Sequence, residues 1–169
     1  VRSTMKKRSI SRSRIGFGTD IHRLVKGRKL VLGGVVIPHE RGLAGHSDAD
    51  ALIHAAIDAI LGAMGASDIG ELFPDTSAAY KDADSTRLLR QVVAIADKKR
   101  YRLVNLDAVI SAEEPKLSPH KGAIRASLAR HLGADAGQVN IKAKTREGLD
   151  AVGARKAIAV ECVVLMEKR

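Results

Sequence analysis

β-Branched runs alternate with segments of helical period along the whole body of this chain, so the fold must stack helices against a sheet. Ile15–Leu24 reads as a first strand. Lys29–Leu32 and Val35–Ile37 are short runs joined by Gly33-Gly34, a hairpin signal. Ser47 is expected to cap a helix reaching Leu61, with Asp48 and Asp50 in its first turn. Residues 66–81 read as irregular. Ser85 opens a second helix, in which Leu88, Leu89, Val92, Val93 and Ala96 recur at helical spacing. Arg102–Ser111 alternates as a strand. Ser118-Pro119 is expected to start a third helix that stops at Gly133. Val139–Thr145 and Ala157–Glu167 read as the last strands. Only 2% of the residues are aromatic and none is Trp, so the core falls to Ile, Leu, Val and Ala. The expected class is a layered α/β (α+β) fold, with residues 14–169 as one domain.

The net charge of +10 raises the question of a nucleic-acid partner. Its distribution argues against one. Arg2, Lys6, Lys7, Arg8, Arg12 and Arg14 crowd the first 14 residues with no acid among them, and without them 23 basic residues face 19 acidic ones. Residues 1–13 therefore read as a flexible basic extension. The two Phe and two Tyr are scattered and offer little for base stacking. No apolar run is long enough to span a bilayer, and no signal peptide is visible, so no membrane partner is expected. The single cysteine, Cys162, lies in an apolar run and reads as a buried small hydrophobe in a reducing compartment. The expected location is the bacterial cytoplasm, or a plastid if the N-terminus is a trimmed transit peptide.

Asp20 and His22 stand two apart in Gly16-Phe17-Gly18-Thr19-Asp20-Ile21-His22, so in a strand they project to one face. His54 closes His46-Ser47-Asp48-Ala49-Asp50-Ala51-Leu52-Ile53-His54. One carboxylate and two imidazoles suit zinc with an open fourth position. In the helix, Ile53, Ile57, Ile60 and Leu61 make an apolar face, while Asp50, His54 and Asp58 make a polar stripe. Asp58 is the candidate acceptor for the second nitrogen of His54. The same stripe also fits a solvated face carrying a single histidine. His46 and Ser47 precede the helix, where free N–H groups favour a phosphate, though His46 also fits a plain loop.

These pieces belong to a longer ordered series. After the segments above come Ile37-Pro38, Asp68-Ile69-Gly70-Glu71-Leu72-Phe73-Pro74-Asp75-Thr76 and Asp84-Ser85. Ala112, Pro115-Lys116-Leu117, Pro119-His120, Val139-Asn140-Ile141-Lys142-Ala143 and Thr145-Arg146-Glu147 follow. The series resembles the 2-C-methyl-D-erythritol 2,4-cyclodiphosphate synthase family of the non-mevalonate isoprenoid pathway. The resemblance implies a mixed sheet covered by helices on one face, with three subunits packed around a threefold axis and sites between neighbours. It implies a cytidine diphosphate substrate whose 2-phosphate attacks the β-phosphorus and expels CMP. Zn2+ or another divalent ion on Asp20, His22 and His54 is implied, with Mg2+ or Mn2+ on the substrate diphosphate and Glu147. Glu147, Thr145 and His46 take catalytic positions. His46 and Ser47 match a loop over the erythritol phosphate, and Asp68, Gly70 and Asp75 match contacts to the erythritol hydroxyls. Turn formation accounts equally for those last three. Ala112, Pro115, Lys116 and Leu117 match the cytidine pocket, with Lys144 and Thr145 at the CMP phosphate. Asp150–Ala157 departs from the family pattern. There, Arg155 is expected on a strand, one residue late for the axis, so that an isoprenoid diphosphate is held much more weakly or not at all. A zinc hydrolase and a basic nucleic-acid-binding module are the competing readings.

Overall fold

The computed structural model describes residues 12–74, 76–77 and 83–169; Asp75 and most of the basic extension lie outside the described residues. The first strand, β1 (Ser13–Lys26), is followed by the hairpin β2 (Leu30–Leu32) and β3 (Val35–Ile37), then β4 (Arg41–Leu43). Helices α1 (Ala51–Ala63), α2 (Ile69–Leu72) and α3 (Ser85–Lys98) come next. Strand β5 (Tyr101–Ser111), helix α4 (Lys121–Leu132) and strand β6 (Val139–Lys144) form a crossover, with a 3-10 turn at Ala136–Gln138. The short helix α5 (Asp150–Gly153) precedes β7 (Ala157–Lys168).

The main sheet has the order β4-β1-β7-β5-β6. β7 runs antiparallel to both β1 and β5, whereas β5 and β6 are parallel. The C-terminal ends of β1, β5 and β6 therefore share one end of the sheet. α1 packs on β1 and β7, α3 against β5, and α4 against β6.

β1 alternates as its sequence predicts. Gly16, Gly18, Asp20, His22 and Leu24 face the helices, while Ile15, Phe17, Thr19 and Ile21 face away. The glycines set the spacing. A Cβ at Gly16 would stand 1.7 Å from the Ala59 carbonyl oxygen, and one at Gly18 would stand 2.1 Å from that of Ala55. α1 can thus lie directly on the β1 backbone. Its residues are small where it touches the strand and large where it meets the core, so Ala55, Ala56 and Ala59 are buried along with Leu52, Ile53, Ile57 and Ile60. The sequence suggested a single apolar face. The helix is apolar nearly all round, as a central helix must be.

The start of α1 corrects another expectation. Its N-cap is Asp50, not Ser47, and the Asp50 side chain accepts from Ile53 N–H. The same carboxylate accepts from Gly33 and Gly34 N–H at 2.9 and 2.7 Å. Both glycines have positive φ (62° and 74°), which turns their N–H groups inward. Asp50 is fully buried and ties the β2–β3 hairpin to α1. The helix end is consequently filled by a carboxylate rather than left open to a phosphate.

Two further boundaries differ. Pro119 lies in a turn and α4 begins at Lys121. Residues 69–72 within the stretch read as irregular form α2, capped by the Asp68 side chain on Glu71 N–H. The stop at Gly133 holds, with φ 64°.

β7 is apolar at most of its positions. Its helix-facing residues Ile158, Val160, Cys162, Val164 and Met166 are fully buried or nearly so. The opposite face of the sheet is open. Ile15, Phe17 and Ile21 are 72, 59 and 58% exposed, and Val163, paired directly with Phe17, is exposed beside them. Among the described residues no helix is long and apolar enough to cross a membrane.

Candidate active site

The close contact between β1 and α1 brings His54 onto Asp20 and His22. Asp20 Oδ2 lies 2.8 Å from His22 Nε2 and 3.0 Å from His54 Nδ1, and the two nitrogens are 3.2 Å apart. All three residues are half-buried, and they are the one metal-competent cluster among the described residues. An ion bound tetrahedrally at about 2.0–2.1 Å needs ligands about 3.3 Å apart, so these atoms are nearly in place.

Both imidazoles can turn a lone pair to a metal at this point, because each has a partner for a proton on its other nitrogen. His22 Nδ1 lies 2.7 Å from the Ala44 carbonyl oxygen, which can only accept. His54 Nε2 lies 3.0 Å from Ser85 Oγ and 3.2 Å from Ser47 Oγ. Asp58, the acceptor expected from the helix stripe, is turned elsewhere and accepts from Ile69 N–H at 2.8 Å. A hydroxyl from a different helix does the work assigned to it. Ser85 was legible as a helix start but not as a partner of His54, because that contact joins residues 31 apart.

Electrostatics follow from this packing. Burial alone would raise the Asp20 pKa, but hydrogen bonds and charge from His22 and His54 hold the carboxyl well below the usual range. Burial pulls His22 down, yet the hydrogen bond and charge of Asp20, aided by the Ala44 carbonyl, leave it raised. Asp58 is raised by burial.

A cavity of about 420 Å³ opens beside the cluster, lined by His22, Gly45, His46, Ser47, His54, Ile69, Gly70, Phe73 and Leu88. His46 is exposed at its rim, and Ser47 is buried. Arg28, which the motif reading passed over, braces this loop by donating to the Gly45 and Ser47 carbonyls. Gly70 lines the cavity, whereas Asp68 lines the neighbouring groove beside Gly18 and Asp58.

The remaining site residues gather elsewhere at the same end of the sheet. Ala112 N–H donates to the Lys144 carbonyl at 2.9 Å. Glu113 Oε1 accepts from Arg146 N–H at 2.7 Å, clamping the loop of Ala112, Pro115, Lys116 and Leu117 to that of Thr145 and Glu147. Thr145 Oγ1 donates to Glu147 Oε1 at 2.9 Å. Lys116 and Lys144 are exposed, while Leu117 is buried. β6 lies three strands from β1, about 14 Å at ordinary strand spacing. One chain therefore brings the loop of Ala112, Pro115, Lys116 and Leu117 to Glu147, but it does not bring Glu147 to Asp20, His22 and His54. Arg155 is not on a strand: it follows α5 with φ 58°, and its Nη1 lies 3.8 Å from Glu114 Oε2.

Comparison with known proteins adds four findings. A family model described as the YgbB family matches residues 13–167. The 2-C-methyl-D-erythritol 2,4-cyclodiphosphate synthase of Geotalea uraniireducens (strain Rf4) is 56% identical over 156 residues, 92% of this chain and 99% of that protein. A solved 2C-methyl-D-erythritol-2,4-cyclodiphosphate synthase in a CDP-bound form superposes with a TM-score of 0.84 at 38% identity, over 91% of this chain and 100% of that one. The CDP complex of the Plasmodium falciparum enzyme superposes at 0.83 with 35% identity, over 95% and 99% of the two chains.

Proposed function

The chain belongs to the YgbB family, that of the 2-C-methyl-D-erythritol 2,4-cyclodiphosphate synthases, and we infer from this how its residues share the reaction. It is a phosphorus–oxygen lyase acting on 4-diphosphocytidyl-2-C-methyl-D-erythritol 2-phosphate. An oxygen of the 2-phosphate bonds to the β-phosphorus. The bond from that phosphorus to the bridging oxygen breaks, and CMP leaves with the bridging oxygen. No general base is needed, because the attacking oxygen is already anionic. The protein must position two anions and offset their charge.

The convergence of Asp20 Oδ2, His22 Nε2 and His54 Nδ1 carries this reading. A divalent cation bound there supplies Lewis-acid charge to a phosphate oxygen. We assign Zn2+ to it from the carboxylate–imidazole donor set. We assign Mg2+ or Mn2+ to Glu147 and the diphosphate, since a hard ion prefers oxygen ligands. His46 and Ser47 at the cavity mouth hold the erythritol phosphate. Asp68, Gly70 and Asp75 contact its hydroxyls. Ala112, Pro115, Lys116 and Leu117 take the cytidine, with Lys144 and Thr145 at the CMP phosphate.

Glu147 and the metal cluster sit three strands apart in one chain but at one end of the sheet. The open sheet face carries Ile15, Phe17 and Ile21. Both observations support a homotrimer in which a neighbour's Glu147 loop completes each site. Incubation with the substrate, following CMP by chromatography, tests the reading. Metal-dependent release of CMP together with the cyclic diphosphate supports it, and a protein inert in the presence of both Zn2+ and Mg2+ overturns it.

A further inference from the structure

His54 binds through Nδ1 only if the proton of its neutral ring sits on Nε2. The atoms around Nε2 decide that. Ser85 Oγ, in a fully buried residue, lies 3.0 Å away. The same hydroxyl is hydrogen-bonded to Asp48 Oδ1. A carboxylate only accepts, so the single hydroxyl proton of Ser85 points at Asp48. What Ser85 turns toward His54 is then a lone pair, so once a metal replaces the proton between Nδ1 and Asp20, His54 Nε2 carries the ring proton. Asp48 is itself held in place: its Oδ2 accepts from Ser85 N–H at 3.1 Å, and its Oδ1 accepts from Asp50 N–H at 3.2 Å. Ser47 Oγ, at 3.2 Å from Nε2, already receives Ala49 N–H and lies 3.4 Å from Ser85 Oγ, whose second lone pair can take its proton.

We propose that Asp48 and Ser85 are positioning residues, a carboxylate–hydroxyl relay that fixes the tautomer and ring orientation of His54 and so presents Nδ1 to the metal. The relay rests on the metal-centre reading above. It reaches His54 from the first residue of α3, so the α1–α3 packing sets the ligand's orientation as well as the core. His22 has a simpler arrangement, with the Ala44 carbonyl in the corresponding role.

The test compares the zinc-loaded protein with Ser85→Ala and Asp48→Asn. Zinc affinity is measured by chelator competition, and the ring N–H protons by NMR on histidine-labelled protein. In the parent, two ring N–H signals should be protected from solvent exchange, His22 Nδ1–H and His54 Nε2–H. Each variant should lose protection at His54 alone and bind zinc about 10–100-fold more weakly. The surviving His22 signal shows that the site is still folded, and the Asp84 cap of α3 is untouched in both variants. Parent-like affinity and protection in both variants would overturn the relay. So would loss in Ser85→Ala with Asp48→Asn unchanged, because the hydroxyl would then act without the carboxylate. Failure of the parent to bind zinc would overturn the metal-centre reading and the relay with it.

Discussion

His54 is the residue on which the proposed metal centre depends, because of Asp20, His22 and His54 it alone is carried by a helix. His54→Ala should abolish zinc binding and keep the fold, since Ile53, Ile57 and Ile60 still fill the core. Metal analysis beside circular dichroism checks this, and full zinc occupancy in the variant would remove His54 from the ligand set. The raised pKa of His22 sets a sign for pH dependence. Without metal, protonated His22 beside Asp20 stabilises the fold below the unfolded-state pKa, and that stabilisation is lost as pH rises through the folded value. His131, lowered by burial and by Arg90 and Arg130, contributes with the opposite sign. A difference measurement isolates the site. The Tm gap between the metal-free protein and Asp20→Asn should narrow as pH rises through the His22 pKa, and a constant or widening gap contradicts the pairing. Asp20, His22 and His54 were legible in sequence because period-2 and period-3.6 spacing places side chains on faces. Ser85, Asp48, Glu113 and Arg28 were not legible as partners, since each acts through a contact between distant segments.

The junction of β1 and α1 converts that pattern into a site. Gly18→Ala would force a Cβ against the Ala55 carbonyl and push the helix outward. The cost should be about 1–3 kcal/mol or more, read as a lowered denaturation midpoint. Zinc affinity should fall as well, because His54 would retreat from Asp20. A variant as stable and as tightly metallated as the parent would mean that the strand–helix spacing does not set the site. Most strands and helices were legible, the Gly33-Gly34 hairpin included, because alternation, turn residues and caps are local signals. The start of α1 was misplaced at Ser47 for a physical reason. Ser47, Asp48 and Asp50 are all good caps, and the choice of Asp50 is made by the hairpin glycines that donate to it. Pro119 was misplaced similarly, being as well suited to a turn as to a first helical position.

The described residues form a one-sided layer, helices on one face of the sheet and exposed apolar side chains on the other. That asymmetry supports assembly through the bare face. Phe17→Asp should therefore yield monomers by light scattering, with the metal cluster intact and activity lost, because the neighbour's Glu147 loop would be gone. An active monomer would contradict the shared site. The division between cyclisation and hydrolysis is decided by turnover in 18O-enriched water, with products read by the 18O isotope shift in phosphorus NMR. Attack by the substrate's own 2-phosphate predicts a cyclic diphosphate and CMP, neither containing solvent oxygen, and no product from metal-free protein. Solvent 18O in a methylerythritol phosphate or in CMP would instead identify water as the nucleophile and the protein as a hydrolase.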